Sequence, residues 1–406
     1  GTANTIIYED EVTIGSYNYT TGIHEYGTRA VVVNLATGTA TDSFGGTDTL
    51  INIDDVRATR FADQITGNSG LNSFWGLGGN DTLNGGDGVD SIFFGEDYLT
   101  GGTAGARVDL TTGTAVDGFG DTDRLISIEN AYGTEEGDDF LGNSGENRLS
   151  GLGGDDTLDG GFGDDILLGG EGDDSIVGGG NNDEIWGDEG NDTLDGGAGV
   201  DLIQYRNASS AVNVNLTTGT ATDGMGGTDT LLNIESVHGS DHGDTLVGNG
   251  SANRLVGFDG DDSLSGGAGN NILLGGNGAD IIDGGDGNDE IWGELGADTI
   301  DGGAGSDIVR YLNSTAGIRA NLITGTIRDG LGSTDSVSNV EDVHGSSHND
   351  FIHGSDGVNR LFGLDGNDTL TSGQGEDVLS GGNGGDSYIF YGGDEIDTVN
   401  DLGSSS

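Results

Sequence analysis

From Gly133 onward the chain advances in steps of nine residues without insertion. Gly151-Leu-Gly-Gly-Asp-Asp-Thr-Leu-Asp159 is followed by Gly160-Gly-Phe-Gly-Asp-Asp-Ile-Leu-Leu168, and that by Gly169-Gly-Glu-Gly-Asp-Asp-Ser-Ile-Val177. Eight such nonapeptides fill 133–204 and eight more fill 239–310, while shorter arrays occupy about 58–93 and 345–389. A short, strict period restricts a chain to stacked repeats in which each unit buries its apolar face only against its neighbours.

A longer period lies over the short one. The arrays beginning at 133, 239 and 345 are each 106 residues apart. Between them run segments of another kind, such as Val212-Asn-Val-Asn-Leu-Thr-Thr-Gly-Thr220, then Gly226-Gly-Thr-Asp-Thr-Leu231, then Asn233-Ile-Glu-Ser-Val237. These alternate apolar and polar residues over short runs, which is a strand signal, and no stretch carries a helical period. The sequence therefore divides into an N-terminal spacer-type segment 1–57, a short array 58–93, a spacer 94–132, an array 133–204, a spacer 205–238, an array 239–310, a spacer 311–344, and a C-terminal array with its end cap 345–406. The expected fold class is all-β: parallel β-rolls joined by β-rich spacers, elongated or even one continuous solenoid.

The consensus G-G-x-G-x-D-x-U-x, with U a large aliphatic residue, explains the period. Glycines at positions 1, 2 and 4 permit backbone angles closed to other residues and let carbonyls approach an ion. Position 8 (Leu158, Leu167, Ile176, Ile185, Leu194, Ile203) points inward. Two nonapeptides complete a coil, so carboxylates at position 6 stack at a spacing of eighteen, as Asp156 with Asp174 or Asp165 with Asp183. The candidate metal ligands are Asp81, Asp90, Asp138, Asp156, Asp165, Asp174, Asp183, Asp192, Asp201, Asp244, Asp262, Asp280, Asp289, Asp298, Asp307, Asp350, Asp368, Asp377 and Asp386. Position 6 is instead Asn at Asn147, Asn253, Asn271 and Asn359, so sites sharing those residues should be weak or empty. The first repeat of each array lacks the glycine at position 4 and reads as a cap. Arg148, Arg254 and Arg360, each just after an Asn, read as replacements for a missing cation.

Composition identifies the ion. The chain has 406 residues, 85 of them Gly, with no Cys and no Pro, and a formal net charge of −59. Carboxylates and backbone carbonyls are hard oxygen donors suited to Ca²⁺, and about 15–20 divalent ions would offset 30–40 of the 59 negative charges. So acidic a surface disfavours nucleic acid and anionic lipid, and no apolar run reaches the length of a membrane span. One aliphatic side chain per nine residues is a thin core against the entropy of ordering the chain. Binding and folding should therefore be one event, with a disordered metal-free chain.

The arrays resemble the RTX, or hemolysin-type calcium-binding, repeats of secreted Gram-negative proteins, over about 60% of the chain. The resemblance implies multiple Ca²⁺ ions, export unfolded through a type I channel, and folding outside the cell. The N-terminus carries no Sec-type leader, and the end at Asp401-Leu-Gly-Ser-Ser-Ser406 suggests a fragment or a processed product. No catalytic constellation stands out: His24-Glu25-Tyr26-Gly27 begins like a zinc-protease motif but has no second His. His238 with His242, and His344 with His348, make H-x3-H pairs at array junctions, more simply solvated or hydrogen-bonded than metal-binding. Trp75, Trp186 and Trp292 fall at the outward position 9, where a ring covering the roll edge is the plainer reading and a sugar platform the bolder one. The expected function is non-catalytic: an adhesive or structural surface protein, surface-layer component or fibre, with calcium, copies of itself or cell-surface polysaccharide as partners. The rivals are the repeat region of a larger secreted enzyme or toxin and a carbohydrate-binding accessory module.

Overall fold

The computed structural model describes residues 4–7, 29–97, 101–391 and 396–401. The His24-Glu25-Tyr26-Gly27 stretch, and nearly all of the N-terminal 25 residues, lie outside these. The regular elements among the described residues are strands, and the chain divides into two compact units, Gly1–Asp201 and Leu202–Ser406.

In the first unit the nonapeptides alternate between two parallel sheets. Leu149 pairs with Leu167 and Leu167 with Ile185 in one sheet, while Phe140, Leu158, Ile176 and Leu194 form successive rungs of the other. Each step is eighteen residues, so two nonapeptides make a coil and every aliphatic residue at position 8 meets its own kind above and below. These side chains are fully buried and form a single line of core between the sheets. In the second unit Leu255, Leu273 and Ile291 line one sheet, and Leu246, Leu264, Ile282 and Ile300 the other.

Most strands in the array 133–204 are six residues long. Thr157–Phe162 and Ile166–Glu171 each run through the first glycines of the next repeat, because those glycines continue the ladder. Position 2 requires a left-handed backbone. Gly170 has φ +121° there, and a Cβ would overlap the carbonyl oxygen of Leu152 on the neighbouring coil. Leu152 itself holds φ +81° at the equivalent position, a conformation that disfavours any side chain.

The spacers are not linkers between rolls. In the second unit Arg319–Asn321, Thr326–Arg328 and Thr334–Ser338 form an antiparallel meander whose outer strands join the parallel ladder, Ala320 to Ile352 and Val337 to Ile300. In the opposite sheet the same spacer contributes only Asp342–His344, with Val343 seated between Val309 and Leu361. The first unit repeats the arrangement: Arg107–Asp109, Thr114–Val116 and Thr122–Ile126 lie in one sheet and Asn130–Tyr132 in the other.

Candidate metal centre

A second line of buried residues runs beside the aliphatic one, and it is made of carboxylates. Asp156, Asp165, Asp174 and Asp183 are each at most 3% exposed. Their first oxygen is accounted for by the coil itself. The N–H of Asp156 donates to Oδ1 of Asp174, and that of Asp165 to Oδ1 of Asp183, both at 2.8 Å. The ladder continues in the second unit, from Asp262 to Asp280 and from Asp280 to Asp298.

The second oxygen has no such partner. Oδ2 of Asp81, Asp90, Asp156, Asp165, Asp174, Asp183, Asp262, Asp280, Asp289, Asp298, Asp307, Asp368 and Asp386 is buried without a hydrogen bond. An ionised oxygen in that state is strongly unfavourable unless a cation sits beside it. Its neighbours make the point sharper. Oδ2 of Asp165 and the carbonyl oxygen of Gly178 crowd the same side of Gly160, so two acceptors converge with no donor between them.

Asn271 shows what a donor does there. It occupies the same position, its Oδ1 accepts the N–H of Asn253, and its Nδ2 donates to the carbonyl of Gly284 at 3.2 Å. An Asn thus closes by itself the contact that an Asp leaves as two opposed oxygens. Four further Asn residues act at array starts: Asn72 donates to the carbonyl of Asp54, Asn147 to that of Glu129, Asn253 to that of Glu235, and Asn359 to that of Glu341. The amide, rather than the adjacent arginine, fills the cation's place. Arg360 instead pairs with Asp342, two rungs of the same sheet.

The carboxylates of the opening repeats are set apart from the rest. Asp138 accepts from the N–H and hydroxyl of Thr134 and from the N–H of Ala106. Asp244 is served likewise by Ser240 and Val212, and Asp350 by Ser346 and Ile318. Asp63 repeats the pattern with Thr59 and Val31. The hydroxyl residue at position 2 of each first repeat supplies this cap.

Electrostatics agree with the hydrogen bonds. Burial first, and neighbouring acids after it, push Asp156 up to about 8 and Asp174, Asp183, Asp262, Asp280 and Asp368 up to about 7, with the ladder hydrogen bond pulling the other way. Near neutral pH these groups need a counter-charge or a proton. Among the described residues no three acidic or imidazole side chains close on one point. An ion must therefore combine one or two carboxylates with backbone carbonyls, the ligand mixture Ca²⁺ accepts and thiophilic metals do not. The donor set thus fits Ca²⁺. The ion would be held by the position-6 carboxylates and glycine carbonyls, and would supply neutralising charge and a bridge between coils.

Among the described residues the histidine pairs have other partners. His238 has Nδ1 3.2 Å from Oε1 of Gln204, lies edge-on to Phe258, and is pushed down to about 4 by burial and by Arg254 and Arg206. His344 has Nδ1 2.7 Å from a guanidinium nitrogen of Arg310. His242 and His348 use their backbone N–H on Ser240 and Ser346 and are otherwise exposed. Trp75, Phe93 and Tyr132 stack face to face on successive rungs at 4.7 and 4.4 Å, so their ring faces are spent on one another. Trp292 lies beneath Arg310.

A class of protein follows from coils of eighteen residues with an inward carboxylate ladder: a calcium-binding β-roll. The family model of the RTX calcium-binding nonapeptide repeat matches residues 57–92, 132–167, 168–203, 238–273, 274–309, 344–379 and 353–388. These cover more than half of the chain, which therefore belongs to the RTX hemolysin-type calcium-binding repeat family. RTX nonapeptides bind multiple Ca²⁺ ions. No curated protein matches the chain.

Proposed function

We propose that this is a secreted protein that folds on Ca²⁺ outside the cell and serves there as a structural or adhesive element. Its calcium ligands are the position-6 carboxylates within the arrays, with Asp138, Asp244 and Asp350 acting as caps. The contrast between Asn271 and Asp165 carries the calcium reading: one position closes with an amide and otherwise opposes two oxygens. A surface built of stacked repeats suits attachment, to polysaccharide or to further copies of the chain. Family membership supports type I export, and the ion dependence would delay folding until the chain meets millimolar calcium.

Circular dichroism during a Ca²⁺ titration, with Mg²⁺ as control, tests the folding step. Strand signal should rise only with Ca²⁺; full signal after exhaustive chelation at pH 7.5 refutes it. Beads coated with the chain test the role. They should cluster or bind polysaccharide in Ca²⁺ and release on chelation, and beads that stay dispersed and unbound in both conditions count against adhesion.

A further inference from the structure

One buried position distinguishes the spacer 94–132 of the first unit from the spacer 311–344 of the second. In the second unit the Tyr311 hydroxyl donates to Oδ2 of Asp335 at 2.8 Å, reaching across the interior from one sheet to the other. Phe94 stands at the same place in the first unit. Its N–H takes the carbonyl of Tyr132, as that of Tyr311 takes His344. A phenyl ring has no hydroxyl to give, and Oδ2 of Asp123, the counterpart of Asp335, is buried without a partner.

The same spacer has gained an acid where it lost that donor. Three residues beyond Phe94 stands Asp97, 2% exposed, where the second unit has Ser314. Its Oδ2 accepts the N–H of Gly118 in the meander hairpin. The neighbouring hairpin residue Asp117 turns Oδ1 to the N–H groups of Phe119 and Asp121 and keeps Oδ2 buried without a partner. Asp117 and Asp123 share the inward face of one hairpin, since Val116 pairs with Thr122 and Ala115 with Asp123. Asp81, from the preceding array, donates its N–H to Oδ1 of Asp123 at 2.8 Å, and its own Oδ2 is unsatisfied.

We infer that this junction is a separate divalent-cation site outside the nonapeptides, formed by Asp117 and Asp123 with Asp81 and Asp97 beside them. Four carboxylates at most 2% exposed lie along this junction, and the charges acting on them most strongly are other acids. Since no three acidic or imidazole side chains among the described residues converge on one point, the ion takes carboxylates in pairs and completes its shell from backbone carbonyls and water, which favours Ca²⁺ over Mg²⁺. In the second unit a tyrosine hydroxyl takes Oδ2 of Asp335 and Ser314 stands in place of the fourth acid, so the counterpart position holds no ion.

Counting bound calcium on the full chain at saturation, by equilibrium dialysis with elemental analysis, tests this. The double variant Asp117→Asn, Asp123→Asn should hold one ion fewer than the parent with its strand signal intact, and Phe94→Tyr should weaken the same ion. Asp335→Asn should leave the count unchanged. An unchanged count in a folded double variant overturns the proposal. Should the double variant fail to fold, crystals of the parent soaked in Tb³⁺ decide. An anomalous peak between Asp117 and Asp123 supports the site, and its absence while the arrays show peaks refutes it.

Discussion

Asn359 donates from Nδ2 to the carbonyl oxygen of Glu341 at 2.7 Å, joining the second repeat of an array to the spacer before it without an ion. Asn147 makes the same bond to Glu129 in the first unit, and its Oδ1 accepts the N–H of Asn143. Truncation of this side chain leaves a buried donor and acceptor unpaired. Asn147→Ala should cost about 1–3 kcal/mol, seen as a lower thermal midpoint in saturating calcium with an unchanged ion count.

The two kinds of position-6 carboxylate should respond differently to the same change. Asp165→Asn keeps an acceptor for the N–H of Asn147 but replaces the unsatisfied oxygen with an amide, so the chain should bind at least one ion fewer. Asp138→Asn turns an amide toward donors from Thr134 and Ala106 and should lower stability without changing the number of ions. Equal ion loss in both variants would place a ligand at the cap.

Protons should partly stand in for calcium. Asp156, Asp174 and Asp262 sit at about 7 to 8 when folded without metal, against 3.8 ordinarily, so the folded state holds more protons than the unfolded one between those values. Their contribution to the metal-free fold is fully present below about pH 4 and is lost as pH rises through 7 to 8. In chelator, strand signal should grow as pH falls from 8 toward 4.5, and calcium affinity should fall over the same window. A metal-free signal independent of pH contradicts the assignment.

Glycine at position 2 should prove less replaceable than its abundance suggests. Gly170→Ala places a methyl against the Leu152 carbonyl at φ +121° and should cost at least ~1–3 kcal/mol. Gly250→Ala, with open space around it and an ordinary backbone, serves as the control and should shift the thermal midpoint little.

The nine-residue pattern made the coil, its inward aliphatic line and its carboxylate ladder legible, because spacing alone brings Asp156 and Asp174 to adjacent rungs. The cap role of the first repeats was readable from the missing glycine, though the hydroxyls of Thr134, Ser240 and Ser346 that perform it were not. The spacers were legible as strands and no further. Alternation in Val212-Asn-Val-Asn says nothing of direction or sheet, and the buried acids Asp117, Asp123, Asp329 and Asp335 look like ordinary turn residues until the meander turns them inward. The role of Asn271 lay beyond reach for a related reason: its carbonyl partner, Gly284, is fixed only by coil stacking.

The spacer of each unit lays three strands into one sheet and a single strand into the other. At about 4.8 Å per strand, one wall of the stack becomes roughly 10 Å taller than its opposite at that level. Within a unit the two walls therefore carry unequal numbers of rungs across a spacer, and only a spacer, not a pair of nonapeptides that adds one rung to each wall, can change that difference.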